Sequence, residues 1–373
     1  MITSLSAKGF KCLDGQKFRL GQLTLLTGIN GAGKSSVIQS LLLARIAALA
    51  SSEVRAIVPL NGPFNLALGQ VIDVISYWSE TKSEIVITVE YDGKPALLSL
   101  LADASSDRYL RIDYSDAGIS ALSNPQLGQF TYLSAEREGP RDFQATQSAP
   151  KDMLELGARG EFVADVLQAY EREQVLSGLE HPRAAGLRLG KQVEAWLGAF
   201  ISDLEVRVET ALGIGVAAVR FKHGGASSEW LRPPNIGFGI THSLPVVLAG
   251  LLAKPQSLLV VDSPEAHLHP AAQSAMGGFL GRVAAAGVQV LVETHSDHVL
   301  NGIRLAVVDD SHPLRPQDVV IHYLMMTETA LFSEPIIISS RGSLSHHPTN
   351  FFDQAEKDIA GIIRHRRPKR PED

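Results

Sequence analysis

Gly28-Ile29-Asn30-Gly31-Ala32-Gly33-Lys34-Ser35 follows the apolar run Leu23-Thr24-Leu25-Leu26 after Thr27, and from Ser35 the chain continues to Ala50 as SSVIQSLLLARIAALA. Strand, glycine-rich turn and helix in that order fit the phosphate-binding pattern G-x-x-x-x-G-K-[ST] position by position. The pattern has a physical reason. Backbone N–H groups must curl round an anion, and only glycines accept such a turn without a Cβ clash. Lys34 is placed to meet the β- and γ-phosphates as a point charge, and Ser35 to offer its hydroxyl to Mg²⁺. The positive end of the following helix faces the same anion. From Ser35 to Ala50 there is neither Gly nor Pro, and Leu and Ala dominate, which favours a helix. Nucleoside triphosphate binding by Asn30, Gly31, Ala32, Gly33, Lys34, Ser35 and Ser36 is therefore expected.

At 373 residues with 45% hydrophobic content, the chain can bury a large core and has room for more than one domain. Its net charge of −6 gives no global basic field, so nucleic-acid contact would need a local patch or a partner protein. Cys12 is the single cysteine. That excludes an internal disulfide framework and a Cys-based zinc cage and fits a reducing cytoplasm, with Cys12 expected to fill a core gap. The N-terminus MITSLSAKGFKC lacks the apolar run of a secretion signal. The most apolar later stretch, Leu244 to Val261, is broken by Pro245, Lys254 and Pro255. It reads as a buried helix followed by a strand rather than a membrane span.

Two further strands bear on the loop. Leu258-Leu259-Val260-Val261 is a continuous apolar run, as in a parallel strand covered on both faces, and it ends in Asp262. Val288 to Val292 is another, ending in Glu293-Thr294-His295-Ser296-Asp297. In open α/β sheets ligands bind beyond the carboxyl ends of the strands. Asp262 is thus expected to share the Mg²⁺ shell with Ser35 in the Walker B manner, and His295 to reach the γ-phosphate.

The rest of the chain reads as supporting architecture. In Glu84 to Tyr91, EIVITVEY, the residues Ile85, Ile87 and Val89 share one face, and Asp92-Gly93 signals a turn before Ala96 to Leu101. This predicts an antiparallel β lobe, with Gln129 to Ser134 as a further strand. Between about Pro150 and Ile201 the reading is helical, clearest where Val193, Trp196, Leu197, Phe200 and Ile201 fall on one face. No heptad pattern persists, so no coiled-coil arm is expected. A glycine-rich loop spans His223 to Ser228, and RHRRPKR at Arg364 to Arg370 reads as a solvated tail. The expected organisation is an N-terminal lobe at 1–149, an inserted helical subdomain at 150–230 and a C-terminal lobe at 231–373.

The order Gly28 to Ser35, Asp262-Ser263-Pro264-Glu265-Ala266-His267-Leu268-His269-Pro270 and Thr294-His295-Ser296-Asp297 resembles the ABC-type ATPases of the RecF/SMC branch. It is most similar to the ATPase module of the overcoming-lysogenisation-defect group and its stand-alone relatives. The likeness extends to Gly9-Phe10-Lys11, to Tyr132-Leu133-Ser134-Ala135 with Arg137 and Gly139-Pro140, to Leu156 through Glu161, and to Phe351-Phe352-Asp353-Gln354. The resemblance implies an α/β P-loop NTPase of ABC-ATPase type. Its mixed central sheet would be flanked by helices, with an antiparallel β lobe and an inserted helical subdomain. It implies ATP and Mg²⁺ as ligands, with Lys11 and Arg137 beside the nucleotide. It also makes Asn235 to Ser243 the signature segment, whose Gly237, Gly239 and Thr241 would contact a nucleotide held by a second subunit in a head-to-tail homodimer or higher homo-oligomer. Thr241 or Ser243 is expected to cap the helix running on through Pro245.

Where many relatives place Asp-Glu, Ser263 follows Asp262. Glu265, the next acid on the loop, is the candidate for orienting the attacking water. Gln70, in Leu68-Gly69-Gln70, is the candidate magnesium-sensing glutamine. Arg137 and Arg141 could neutralise transition-state charge or pair at the surface with Glu136 and Glu138. His267, His269, His295 and His298 admit a metal reading, weakened by the lack of a carboxylate triad. The function expected is a cytoplasmic ATPase gating a separate effector, nuclease or toxin, in antiphage defence, or gating DNA binding. The alternatives are a nucleotide-gated scaffold with negligible turnover and a DNA-maintenance ATPase, with a His-based nuclease last.

Overall fold

In the computed structural model the chain opens with strands Ile2–Phe10 (β1), Leu13–Arg19 (β2) and Leu23–Gly28 (β3), then turns through the glycine-rich loop into helix Lys34–Ala50 (α1). Ile57–Pro59 (β4) and the single turn Val71–Val74 (α2) lead to Glu84–Tyr91 (β5), Lys94–Leu101 (β6) and Tyr109–Ser115 (β7). Phe130–Leu133 (β8) and Gln144–Ala145 (β9) precede helices Val163–Tyr170 (α3) and Leu189–Leu197 (α4) and the hairpin Glu205–Ala211 (β10) and Val216–Lys222 (β11). Phe238–Leu252 (α5), Leu258–Asp262 (β12), Pro270–Ala285 (α6), Gln289–Glu293 (β13) and Asp297–Val308 (α7) then alternate. Val319–Met326 (β14), Leu331–Ile336 (β15) and Gln354–Arg366 (α8) follow. The structure describes residues 1–50, 56–79, 83–123, 128–211, 213–225, 228–311, 314–327, 330–348 and 351–366. Residues 226 and 227 of the glycine-rich loop and 367–370 of the cationic segment lie outside them.

The central sheet has the order β15-β14-β3-β13-β12-β8. The four pairs from β8 to β14 are parallel, and only β15 runs antiparallel. Because successive side chains alternate across a sheet, each apolar strand feeds two cores. Leu25, Val261 and Val292 pack into one with α5, α6, α7 and the inserted segment. Leu26, Val260 and Leu291 pack into the other with α1 and the antiparallel sheet. Coverage on both faces is what the continuous apolar runs anticipate.

The antiparallel sheet has the order β2-β1-β5-β6-β7-β4. Ile85, Ile87 and Val89 are buried on one face of β5. Asp92 (φ 48°) and Gly93 (φ 78°) are both left-handed, the two-residue turn that matches strand twist. Helices α3 and α4 dock on α5, and the β10–β11 hairpin packs on α3 and α4. The expected helical face through Ile201 stops short: α4 ends at Leu197 and Gly198 follows, so Phe200 and Ile201 pack on the core from beyond the helix. No helix among the described residues is long and apolar enough to cross a membrane.

Candidate nucleotide site

Strands β3, β13 and β12 are neighbours, and they end side by side at Gly28, Glu293 and Asp262. Gly28 has no room for a side chain, since a Cβ would lie 2.2 Å from the Leu324 carbonyl oxygen. Gly31 and Gly33 take left-handed φ values of 77° and 87°, and so bend the loop round an open cavity of ≈ 490 Å³. Asn30 through Ser36 line it with Lys11, Cys12, Glu293 and His295. Cys12 packs against the core as expected, and it also reaches the cavity. It is half-buried on the cavity wall, where a Cβ on Gly33 would come within 2.6 Å of its sulfur. The β1–β2 turn brings it there, a contact no local pattern encodes.

Lys34 is buried, and its ammonium donates to the carbonyls of Gly28 (3.0 Å) and Ile29 (2.9 Å). Burial pulls its pKa below the usual lysine range, opposed by the carboxylates of Glu293, Asp262 and Glu265. The Lys11 ammonium bonds Gln39 Oε1 at 2.8 Å. Burial raises the Asp262 pKa, and the Ser263 hydroxyl, donating to Asp262 Oδ1 at 2.9 Å, counteracts part of that rise.

Glu265 faces the next loop. Its two oxygens accept from Thr294 Oγ1 (2.7 Å) and from the His295 backbone N–H (2.8 Å). Thr294 and Ser296 continue a network to Gln273, which in turn donates to the Leu268 carbonyl. The loops after β12 and β13 are thereby tied together, and Glu265 is held at a fixed orientation beside His295. Partial desolvation, then the Lys34 charge, lowers the His295 pKa, favouring the neutral imidazole.

The most informative residue not singled out in sequence is Glu293. It is 4% exposed, and its Oε1 accepts from Ser35 Oγ at 3.1 Å. Burial first, then the neighbouring Asp262 charge, pushes its carboxyl up to about 7. The available signal was the one used for Asp262, an acid ending an apolar strand.

Arg137 is corrected. It is buried and forms no surface ion pair with Glu136 or Glu138, which pair instead with Arg159 (3.6 Å) and Arg141 (3.5 Å). Nor does it line the cavity. Its guanidinium donates to the carbonyls of Ser134 (3.0 Å), Asp262 (2.7 Å) and Ser263 (2.6 Å), a strut under the turn that follows β12. Its pKa, lowered by burial to about 10, leaves it a cation at neutral pH. Arg137→Ala is expected to cost about 3–5 kcal/mol of stability, because three carbonyls lose a charged donor in a dry site. Urea denaturation checks this, and a loss under about 1 kcal/mol contradicts the strut role.

Gln70 is not brought to the cavity wall. Its N–H donates to Asp73 Oδ2 at 2.8 Å and opens α2, which approaches the site through the Lys11 N–H to Val74 carbonyl bond of 2.7 Å. The capping expectation for α5 is also corrected. The helix starts at Phe238 after Gly237 (φ 100°), so Thr241 and Ser243 sit within it, and Thr241 Oγ1 donates to the Phe238 carbonyl (2.9 Å). Glycine's access to positive φ sets the start, and the first-turn N–H groups have no side-chain cap. At Gly239 a Cβ would lie 2.8 Å from the His267 carbonyl oxygen, so only glycine lets α5 sit this close to the loop after β12. Phe238 is 53% exposed beside the rings of His242 and His267.

The four histidines of the metal reading are spread over separate tasks. His267 stacks with Phe238 and His242, His269 accepts from the Ala271 N–H, His298 lies 3.6 Å from Asp297, and His295 borders the cavity. Among the described residues no group of three or more His, Cys, Asp or Glu is arranged to hold a metal ion.

Similarity to solved structures agrees with this geometry. An SMC head crystallised with the C-terminal winged-helix domain of ScpA is 12% identical, covering 91% of this chain and 98% of its own at a TM-score of 0.58. The fold is that of an SMC head domain. A second such head, with an extended coiled coil and bound to a C-terminal domain of ScpA from Pyrococcus furiosus, is 11% identical, covers 97% of this chain and 99% of its own, and has a TM-score of 0.54. In sequence, the family model described as "AAA domain, putative AbiEii toxin, Type IV TA system" matches residues 200–301. A model described as a protein of unknown function, DUF3696, matches residues 314–362. No curated protein matches the sequence.

Proposed function

We propose that this ABC-type head binds ATP with Mg²⁺ at Gly28 to Ser35, hydrolyses it in a head-to-tail dimer, and uses the cycle to gate a separate effector. The observation that carries the reading is the convergence at one sheet edge of Lys34, Ser35, Asp262, Glu265 and His295, with three strand ends side by side. Ser35 and Asp262 would hold the cation; a hydroxyl beside a buried carboxylate is the oxygen donor set that a hard cation takes. The ion supplies charge neutralisation at the phosphates. Lys34 binds the phosphates, Glu265 orients water, and His295 donates or accepts at the γ-phosphate as its tautomer allows.

Glu265 already accepts two hydrogen bonds, which fix the orientation of its carboxylate. That suits a residue that positions water more than one that strips its proton. Ser263 in place of the usual second acid keeps a second reading open, a nucleotide-gated scaffold with little turnover.

The dimer reading rests on α5. Its uncapped first turn, glycine approach to the His267 carbonyl and exposed Phe238 form a face suited to a phosphate presented by a second copy. The match described by a toxin of a type IV toxin–antitoxin system supports an effector such as a nuclease or toxin, and an antiphage role. DNA contact and DNA maintenance are the alternative outputs that the SMC-like fold suggests. The single cysteine fits a cytoplasmic setting.

Sedimentation tests the dimer. Glu265→Gln with MgATP is expected to shift to dimer, and adding Gly239→Ala, which pushes α5 off the loop, to abolish the shift while ATP binding persists. A sedimentation profile unchanged by MgATP contradicts the composite site.

A further inference from the structure

Glu293 and Asp262 are register partners on adjacent parallel strands, so their side chains leave the sheet on the same side. Both emerge at the carboxyl edge, next to the first turn of α1. Ser35 Oγ donates to Glu293 Oε1, which places the hydroxyl between the phosphate loop and this carboxylate. The other oxygen, Glu293 Oε2, is buried and has no hydrogen-bond donor within reach. Two cations stand near the pair, but neither bonds a carboxylate: the Lys34 ammonium donates to the Gly28 and Ile29 carbonyls and the Arg137 guanidinium to those of Ser134, Asp262 and Ser263.

Two carboxylates side by side in a dry site, one with an unmet oxygen, are costly unless a positive charge joins them. Nothing in the packing requires a Glu at this position, since the strand above it is apolar on both faces. A glutamine would make the same bond to Ser35 without the charge. The residue also lines the phosphate-loop cavity with Ser35 and is the register partner of Asp262, so a hard cation bound by those two would meet it.

We infer that Glu293 is a third protein residue of the divalent-cation site, acting with Ser35 and Asp262 through its unpartnered oxygen, directly or through a bound water. The inference rests on the reading that Ser35 and Asp262 hold the cation. It also gives the site a second acid from a strand end, in a chain where Ser263 stands beside Asp262.

The test measures cation binding rather than turnover. Wild type, Glu293→Gln and Asp262→Asn are titrated with Mn²⁺ by electron paramagnetic resonance in the presence of a non-hydrolysable ATP analogue, and nucleotide affinity is measured in parallel in EDTA. Glu293→Gln is expected to bind nucleotide in EDTA as wild type does, and to need about tenfold or more Mn²⁺ for half-saturation. Unchanged Mn²⁺ affinity in Glu293→Gln, with a loss in Asp262→Asn, overturns the inference and leaves Glu293 as a hydrogen-bond partner of Ser35. If neither variant changes, the cation reading of Ser35 and Asp262 falls with it. Loss of nucleotide binding in EDTA by Glu293→Gln also contradicts the inference, which confines the residue to the cation.

Discussion

Glu265→Gln is expected to lower ATP turnover by about 10²–10³-fold while ATP affinity stays within about twofold, the signature of an interaction that matters only as the reaction proceeds. The carboxylate has no direct place in the phosphate loop, so binding should survive. It does have two donors, Thr294 Oγ1 and the N–H of the cavity-lining His295, that hold it in one orientation. An amide presents one acceptor and one donor to these groups. The side chain would therefore rotate or lose one of the two bonds, and the charge that polarises water would be gone. Phosphate release at saturating ATP checks this. Equal rates for wild type and Glu265→Gln would remove Glu265 from the reaction.

Lys34→Ala is expected to weaken ATP binding by at least about 10²-fold, because a buried charge-assisted contact to phosphate is worth roughly 3 kcal/mol. The structural reason goes beyond the loss of one contact. Lys34 carries the positive charge felt by Glu293 and by His295, and both cavity-wall groups change environment when it is removed. With only Arg137 then left to oppose the two strand-end carboxylates, the cavity is less favourable to the anion it is shaped to hold. Calorimetric titration with ATP in EDTA isolates the effect from any cation. Affinity within threefold of wild type would show that the loop does not engage the phosphates as its pattern implies.

How much of this was readable beforehand follows from how local each signal is. The phosphate loop is contiguous, and its glycines, lysine and serine carry their geometry with them. The parallel strands announced themselves as apolar runs because both of their faces are buried, and Asp262 and His295 followed from their place at strand ends. Glu293 was passed over although it ends a strand in the same way. Its meaning comes from pairing with Asp262 and from Ser35, contacts more than 250 residues apart in sequence for the latter.

Arg137 shows the opposite error. Its neighbours Glu136 and Glu138 suggested surface pairing, but the chain turns there so that the arginine alone points inward to the carbonyls of Asp262 and Ser263. At α5 the preference of Thr and Ser for caps was outweighed by the positive φ available to Gly237. Cys12 was read by composition as core filler, and only the β1–β2 turn reveals that it borders the nucleotide cavity.

Magnesium-dependent phosphate release from ATP by the purified chain, compared with Lys34→Ala at the same concentration, tests the central claim most directly. The account predicts release by wild type that stops in EDTA and is absent in Lys34→Ala. Release from wild type no greater than from Lys34→Ala, at ATP concentrations shown to saturate the site, would contradict it.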